Sequence, residues 1–256
     1  MNLGIDVGST FTKYVIVNPQ KEILRTGKFK SPANQIERLG TFVEKIMVEY
    51  PVRKIGACGY GRKNVPAHHR VSDLTALAEG IKYIDNPVNT DMAIDIGGQD
   101  TKVLMMKNGR MKDFALNDKC ASGAGMSIAM AMAILDMDFL ELGKILERSH
   151  FNKVKPMSSI CAVFSQTEIV ARMAAGETRE EIVTAVVDSV LKRVKPLASR
   201  LFSLEKSSIT GIFTGGLSTI QPIDKRMSEI LGLNMWVPRY AEFLAAYGAA
   251  RLLDKT

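Results

Sequence analysis

Cysteine is scarce: three in 256 residues are too few for a disulfide framework, so each thiol is core, nucleophile or metal ligand. Histidine is as scarce, and none of His68, His69 and His150 is placed to complete a four-ligand zinc or iron–sulfur site with Cys120 or Cys161. Long apolar runs are missing, and nothing approaches the roughly 18 uninterrupted apolar residues of a membrane span. The first residues run straight into a strand-like segment without the charged and apolar regions of a signal peptide, so a soluble, cytoplasmic protein is expected. Aromatic residues make up only 7% of the chain. Phe29, Tyr60 and Phe202 are the few that interleave with the basic clusters from Lys21 to Lys30, Arg53 to Arg70 and Lys192 to Lys206. A stacking platform wants more, so neither nucleic acid nor membrane is an expected partner.

What is present is a hydrophobic content of 46%, enough for a sizeable core in one large domain or two modest ones. The formal charge of +7, from 34 basic and 27 acidic residues, reads as a solvated basic face or a docking surface for an acidic protein or coenzyme phosphate.

The chain also repeats itself. Ile5-Asp6-Val7-Gly8-Ser9-Thr10-Phe11-Thr12-Lys13 and Ile94-Asp95-Ile96-Gly97-Gly98-Gln99-Asp100-Thr101-Lys102 share Ile, Asp, Gly, Thr and Lys at a constant offset of 89. Each copy is an apolar run, a small-residue turn and a second strand-like run such as Tyr14 to Val17 or Val103 to Met106, which is a β-hairpin pattern. Glycine at such a turn lets backbone N–H groups approach a phosphate. Ser9, Thr10 and Thr101 add hydroxyls, and Asp6 or Asp95 can hold a hydrated Mg²⁺. The duplication therefore points to a nucleotide gripped between two related lobes. A third segment, Phe213-Thr214-Gly215-Gly216-Leu217-Ser218, has an apolar approach and a Gly pair opening a helix, suited to an adenosine or its phosphates.

Cys58 reads as a buried core thiol. Cys120, in Asn117-Asp118-Lys119-Cys120-Ala121-Ser122-Gly123-Ala124-Gly125, precedes the helix-forming run from Met126 to Met132. Cys161 follows Ser158-Ser159-Ile160 and precedes an amphipathic run from Gln166 to Met173. Both thiols stand ahead of helix N-termini, where a thiolate or an anionic cluster is stabilised. Two are too few for a Cys₄ site, and a symmetric dimer would supply four. The methionines at 126, 130, 132 and 137 read as adaptable core.

These residues resemble a known family, the activator ATPases of 2-hydroxyacyl-CoA dehydratases, grouped with the ATPase subunits of benzoyl-CoA reductase. The match runs through Gly4 to Thr10, Gly59-Tyr60-Gly61-Arg62, Ile94 to Asp100, Asn117 to Ala121, Cys161 to Phe164 and Thr214-Gly215-Gly216. The Asn-Asp-Lys-Cys and Gly-Gly-Gln-Asp segments are the specific ones; Asp-x-Gly-Ser-Thr is shared with actin, heat-shock chaperones and sugar kinases. The resemblance implies an α/β fold of two ribonuclease H-like (actin-like) lobes with a nucleotide cleft between them. It implies a homodimer bridged by one [4Fe-4S] cluster, with Cys120 and Cys161 of each subunit as ligands and one ATP site per subunit. Hydrolysis to ADP would change the angle between helices leading from the cluster, and one low-potential electron would pass to a CoA-ester dehydratase or reductase. Ferredoxin or flavodoxin is the expected donor.

On this reading residues 1–68 with 236–256 form lobe I and residues 69–235 lobe II. A C-terminal helix, Glu242 to Leu253, with a small face (Ala245, Ala246, Gly248, Ala249), reads either as packing at the hinge between them or as a plain core helix. Asp6 and Asp95 hold hydrated Mg²⁺; Gly8, Ser9, Thr10, Gly97 and Gly98 take the β- and γ-phosphates; Gln99 and Asp100 orient the attacking water; Gly215, Gly216 and Leu217 line the adenosine side. Lys13 and Lys102 are candidates to neutralise phosphate, with a solvated strand lysine as the plainer reading. Where relatives commonly carry Ser-Glu-x-x-x-His this chain has Ser72 to Leu77. Ile220 replaces a common Asn, and Glu242-Phe243-Leu244-Ala245-Ala246 replaces Gln-x-x-Gly-Ala, so contacts to partner and adenosine are not carried over. Two other classes share the fold: a sugar or acetate kinase, which would need more chain for a substrate pocket, and a non-redox nucleotide switch, which would be iron-free.

Overall fold

The computed structural model describes residues 1–84, 90–117, 124–150, 153–158, 162–203 and 209–254. The chain opens with β1 (Asn2–Val7), β2 (Phe11–Val17), β3 (Ile23–Lys30), α1 (Gln35–Glu49), β4 (Lys54–Cys58), β5 (His69–Arg70) and α2 (Asp73–Lys82). It continues through β6 (Met92–Ile96), β7 (Thr101–Lys107), β8 (Arg110–Asn117), α3 (Gly125–Ile134), α4 (Phe139–Arg148), α5 (Ala162–Ala174), α6 (Arg179–Lys192) and α7 (Val194–Leu201). It ends with β9 (Gly211–Thr214), α8 (Ile223–Leu231), β10 (Met235–Trp236) and α9 (Leu244–Leu252). Two compact units result: Met1–Pro87, Asn108–Arg110 and Arg239–Thr256 form one, Val88–Lys107 and Met111–Pro238 the other.

The sequence reading carried the chain across near residue 68, whereas the units divide after Pro87. The cause is α2, whose glycine meets α9: a Cβ on Gly80 would strike the Leu244 carbonyl, and one on Gly248 the Ala76 carbonyl. Two backbones this close form one packed layer, so α2 belongs with the C-terminal helix.

In the first unit the sheet order is β3-β2-β1-β4-β5. Leu3, Ile5 and Val7 alternate onto the face shared with Leu39, Val43 and Ile46 of α1, as the two-residue period of a strand requires. The opposite face takes α9, where Val15 and Val17 meet Ala246, Tyr247 and Ala250. Gly4 and Gly56 lie under this helix, and a side chain at either would strike the Ala246 or Ala249 carbonyl. Of the two readings of this helix, hinge and core, its small face is used as core of the first unit. The helix itself starts at Leu244, after a 3₁₀ turn over Ala241–Phe243. Cys58 is buried, as expected.

In the second unit the order is β10-β9-β6-β7-β8, the same arrangement strand for strand. β1 and β6 are each antiparallel to the next strand and parallel to β4 and β9 respectively. Met92, Ile94, Ile96, Val103 and Phe213 form its core with Ile128, Leu142, Ile145 and Val187. Met132 is buried in that core and Met130 and Met137 pack against it, while Met126 stays 36% exposed. The α6 start carries a capping box between Thr178 and Glu181. Leu77 and Ile220, at two of the departures from the family pattern, are core residues.

Candidate functional site

The first hairpin places Asp6 opposite Lys13 in register, and the second places Asp95 opposite Lys102, so the repeated residues occupy equivalent positions in the two sheets. The first turn is closed by Gly8 N–H donating to Phe11 O at 3.2 Å. Ser31, just past β3, locks it from outside: its hydroxyl donates to Gly8 O at 2.6 Å and its N–H to Thr10 O at 2.9 Å. The Thr10 hydroxyl is buried with no hydrogen-bond partner. A buried donor left unmatched has a cost that a bound acceptor removes, and an oxyanion at this turn is such an acceptor. Gly8 and Ser9 are half-buried beside it.

The second turn is built differently. Gly97 N–H donates to Asp100 O at 2.9 Å, while the carbonyls of Gly97 and Gly98 accept from Gly125 N–H (2.9 Å) and Met126 N–H (2.8 Å) at the start of α3. Two of the N–H groups that a helix leaves without intrahelical partners are thereby satisfied by the turn. Gln99 is exposed at its tip, 4.0 Å from Met126 Sδ. Lys102, expected in solvent, is instead buried, with its ammonium 2.7 Å from Asp100 and 3.5 Å from Asp95. The second oxygen of Asp95 lies 3.0 Å from the Thr214 hydroxyl, which shares its proton with Ile94 O at 3.2 Å. Asp95 is thus held on both oxygens, and the Asp100 carboxylate is engaged by a cation. Asp100 serves the turn before it can serve a water.

At position 58, which pairs with Asp6 as Thr214 pairs with Asp95, a thiol stands and its Sγ points to Ala245 O at 3.5 Å. The two carboxylates therefore sit in unlike surroundings despite the repeat. Gly215 has φ +84°, with the Ile96 backbone where a side chain would go; Gly216 is open, and Leu217 is buried. Gly216 begins a 3₁₀ turn to Thr219, so the Gly pair opens a short turn and α8 follows only from Ile223.

Cys120 and Cys161 lie outside the described residues. In sequence Cys161 immediately precedes α5, which begins earlier than the amphipathic run indicated. Ser31 and Thr214, which hold the first turn and the Asp95 carboxylate, were missed. Thr214 could have been found from its neighbour Gly215, but Ser31 carries no local signal.

Two sheets of identical order, each with a hairpin closed by a small-residue turn, define an α/β protein with ribonuclease H-like (actin-like) units. Residues 3–252 match the BadF/BadG/BcrA/BcrD ATPase family, and the chain belongs to it. An uncharacterised protein of Methanocaldococcus jannaschii is 36% identical over 97% of this chain and 99% of its own length. The 2-hydroxyisocaproyl-CoA dehydratase activator of Clostridioides difficile is 32% identical over 97% of this chain and 92% of its own. The solved structure of that kind of activator from Clostridium difficile, with bound ADPNP, superposes with a TM-score of 0.84 at 31% identity, covering 99% of this chain and 94% of the other. Among the described residues no helix is long and apolar enough to cross a membrane, and no group of three or more His, Cys, Asp or Glu is placed to hold a metal ion.

Proposed function

We propose that this chain is an ATP-hydrolysing activator that hands an electron to a CoA-ester dehydratase or reductase. The observation that carries the ATP half is the first hairpin, where Thr10 keeps a buried, unmatched hydroxyl beside the Asp6 carboxylate's strand. The activator half rests on membership of this ATPase family and on a relative named as a dehydratase activator.

In this reading Ser9 and Thr10 of one turn, and Gly98 of the other, donate to the β- and γ-phosphates of ATP and then to the β-phosphate of ADP, while Gly8 and Gly97, whose N–H groups close the turns, let the phosphates approach with no side chain in the way. Lys13 faces the same charge. Asp6 and Asp95 would hold hydrated Mg²⁺, Asp95 with its own position fixed by Lys102 and Thr214. Mg²⁺ when bound neutralises phosphate charge. Gln99, exposed at the turn tip, orients the attacking water, and Asp100 positions Lys102. Gly215, Gly216 and Leu217 line the adenosine side.

The two hydrogen bonds from α3 to the Gly97 and Gly98 carbonyls give the turn a rigid lever, since any shift of those carbonyls on loss of the γ-phosphate is felt at the α3 N-terminus. Cys120 precedes that helix in sequence. Cys120 and Cys161 from two subunits of a homodimer would hold one [4Fe-4S] cluster, which supplies one-electron transfer at low potential. A ferredoxin or flavodoxin would be the donor and the CoA-ester enzyme the acceptor.

The test is iron and acid-labile sulfide on protein purified without oxygen. About four irons per dimer, lost in both Cys120→Ala and Cys161→Ala, is the expected result. An iron-free protein after anaerobic reconstitution sinks the electron-delivering activator.

A further inference from the structure

The Gly59-Tyr60-Gly61-Arg62 segment is left without a role by the two hairpins and the Gly215 turn. Its place in the fold supplies one. Cys58, the last residue of β4, is the strand partner of Asp6; Thr214, the last residue of β9, is the strand partner of Asp95. The next residue in each case is a glycine with φ +84°, Gly59 in the first unit and Gly215 in the second. Gly59 is therefore the counterpart of Gly215, at an equivalent point in a sheet of the same order.

The two glycines differ in what they face. A Cβ on Gly215 would meet the Ile96 backbone, whereas one on Gly59 would lie 2.5 Å from Asp6 Oδ1 and 2.5 Å from Val7 O. The Asp6 carboxylate thus rests on the bare face of Gly59. The turn is held shut behind it: Arg62 donates from Nη1 to Gly59 O at 3.0 Å, Gly61 N–H donates to Val7 O at 3.1 Å, and Arg70 Nη2 donates to Val65 O at 2.7 Å. A Cβ on Gly61 would strike Val7 and Gln35. Two glycines and an arginine clamp this turn against the end of β1.

We infer that Gly59 is a positioning residue that seats the Asp6 carboxylate for the Mg²⁺ of a bound nucleotide, with Arg62 fastening the turn. This rests on the assignment of Asp6 above. Outer contacts that orient a metal-binding carboxylate commonly set about 10- to 100-fold of metal affinity. Displacing Asp6 from its seat acts on the same quantity, and leaves nucleotide contacts that do not involve the metal.

The experiment is calorimetric titration of the full chain with ADP, once in Mg²⁺ and once in EDTA. Gly59→Ala should bind ADP about tenfold more weakly than wild type in Mg²⁺ and within about twofold of it in EDTA. Gly176→Ala separates this from backbone strain, because Gly176 has the same φ of +84° with nothing within 4 Å; it should match wild type in both conditions. Arg62→Ala keeps every glycine and should move in the same direction as Gly59→Ala by a smaller factor, which covers the case of a misfolded Gly59 variant. Gly59→Ala in an Asp6→Asn background should cause no further loss. A Gly59→Ala or Arg62→Ala protein with wild-type Mg²⁺ enhancement overturns the role. A wild type whose ADP binding ignores Mg²⁺ removes the assignment of Asp6, and this role with it.

Discussion

The Lys102 ammonium lies between two carboxylates, 2.7 Å from Asp100 and 3.5 Å from Asp95, and none of the three side chains is more than 14% exposed. Removing one partner of a buried charge cluster leaves the others uncompensated. Lys102→Ala should therefore lower unfolding free energy by about 3 kcal/mol, and Lys102→Arg by less. Urea unfolding of both variants checks this; a Lys102→Ala protein as stable as wild type would show that the cation is dispensable.

Thr10 gives the opposite sign in the apo protein. Its hydroxyl is buried and unmatched, so Thr10→Val removes a buried polar atom without breaking a bond and should leave the apo melting temperature equal or higher. Hydrogen bonds to charged groups contribute about 1.5–3 kcal/mol, so ADP affinity should fall by at least tenfold. Thermal melts with and without ADP read both effects together.

The same substitution should act in opposite directions at two sets of helical glycines. Gly80→Ala and Gly248→Ala each drive a methyl into a carbonyl of the partner helix, and each should cost about 1–3 kcal/mol. Gly40, within α1, has nothing within 4 Å of an added Cβ, so Gly40→Ala should stabilise by about 0.5–1 kcal/mol through helix propensity. Chemical denaturation of the three variants settles the sign.

Glu181 is held below its ordinary carboxylate range by the Thr178 backbone N–H first and the Thr178 hydroxyl second. A folded pKa below the unfolded one means the contribution is complete above the unfolded value and is lost as pH falls through the folded one. Glu181→Gln should therefore be less stable than wild type at pH 7, with the gap narrowing once pH falls below about 4.5. Melting curves from pH 7 to pH 3 would show it; a gap that widens in acid would refute the capping assignment.

The hairpins were legible because their chemistry is local: Asp, Gly, Thr and Lys recur at one offset, and the strands carry alternating apolar residues around them. Cys58 was legible as core for the same kind of reason. Lys102 was not, because its burial depends on the Asp100 carboxylate being folded back by the Gly97 to Asp100 closure, which strand periodicity does not encode. That α2 packs with α9 was not legible because the two lie more than 160 positions apart, and small residues announce close approach without naming what approaches. Gly59 was visible as a family motif, but its function depended on a strand pairing between β1 and β4.

The helix laid over Gly4 is α9, the nine residues Leu244–Leu252. On a ribosome that adds residues from the N-terminus, β1 to β4 emerge early with one face of their sheet bare. They must wait until the residues of α9 have been made before Ala246 and Ala250 can cover it. The unit begun first is thus completed only after the other has been made, so a chain truncated before residue 244 should expose that apolar face and be the form that aggregates or is degraded.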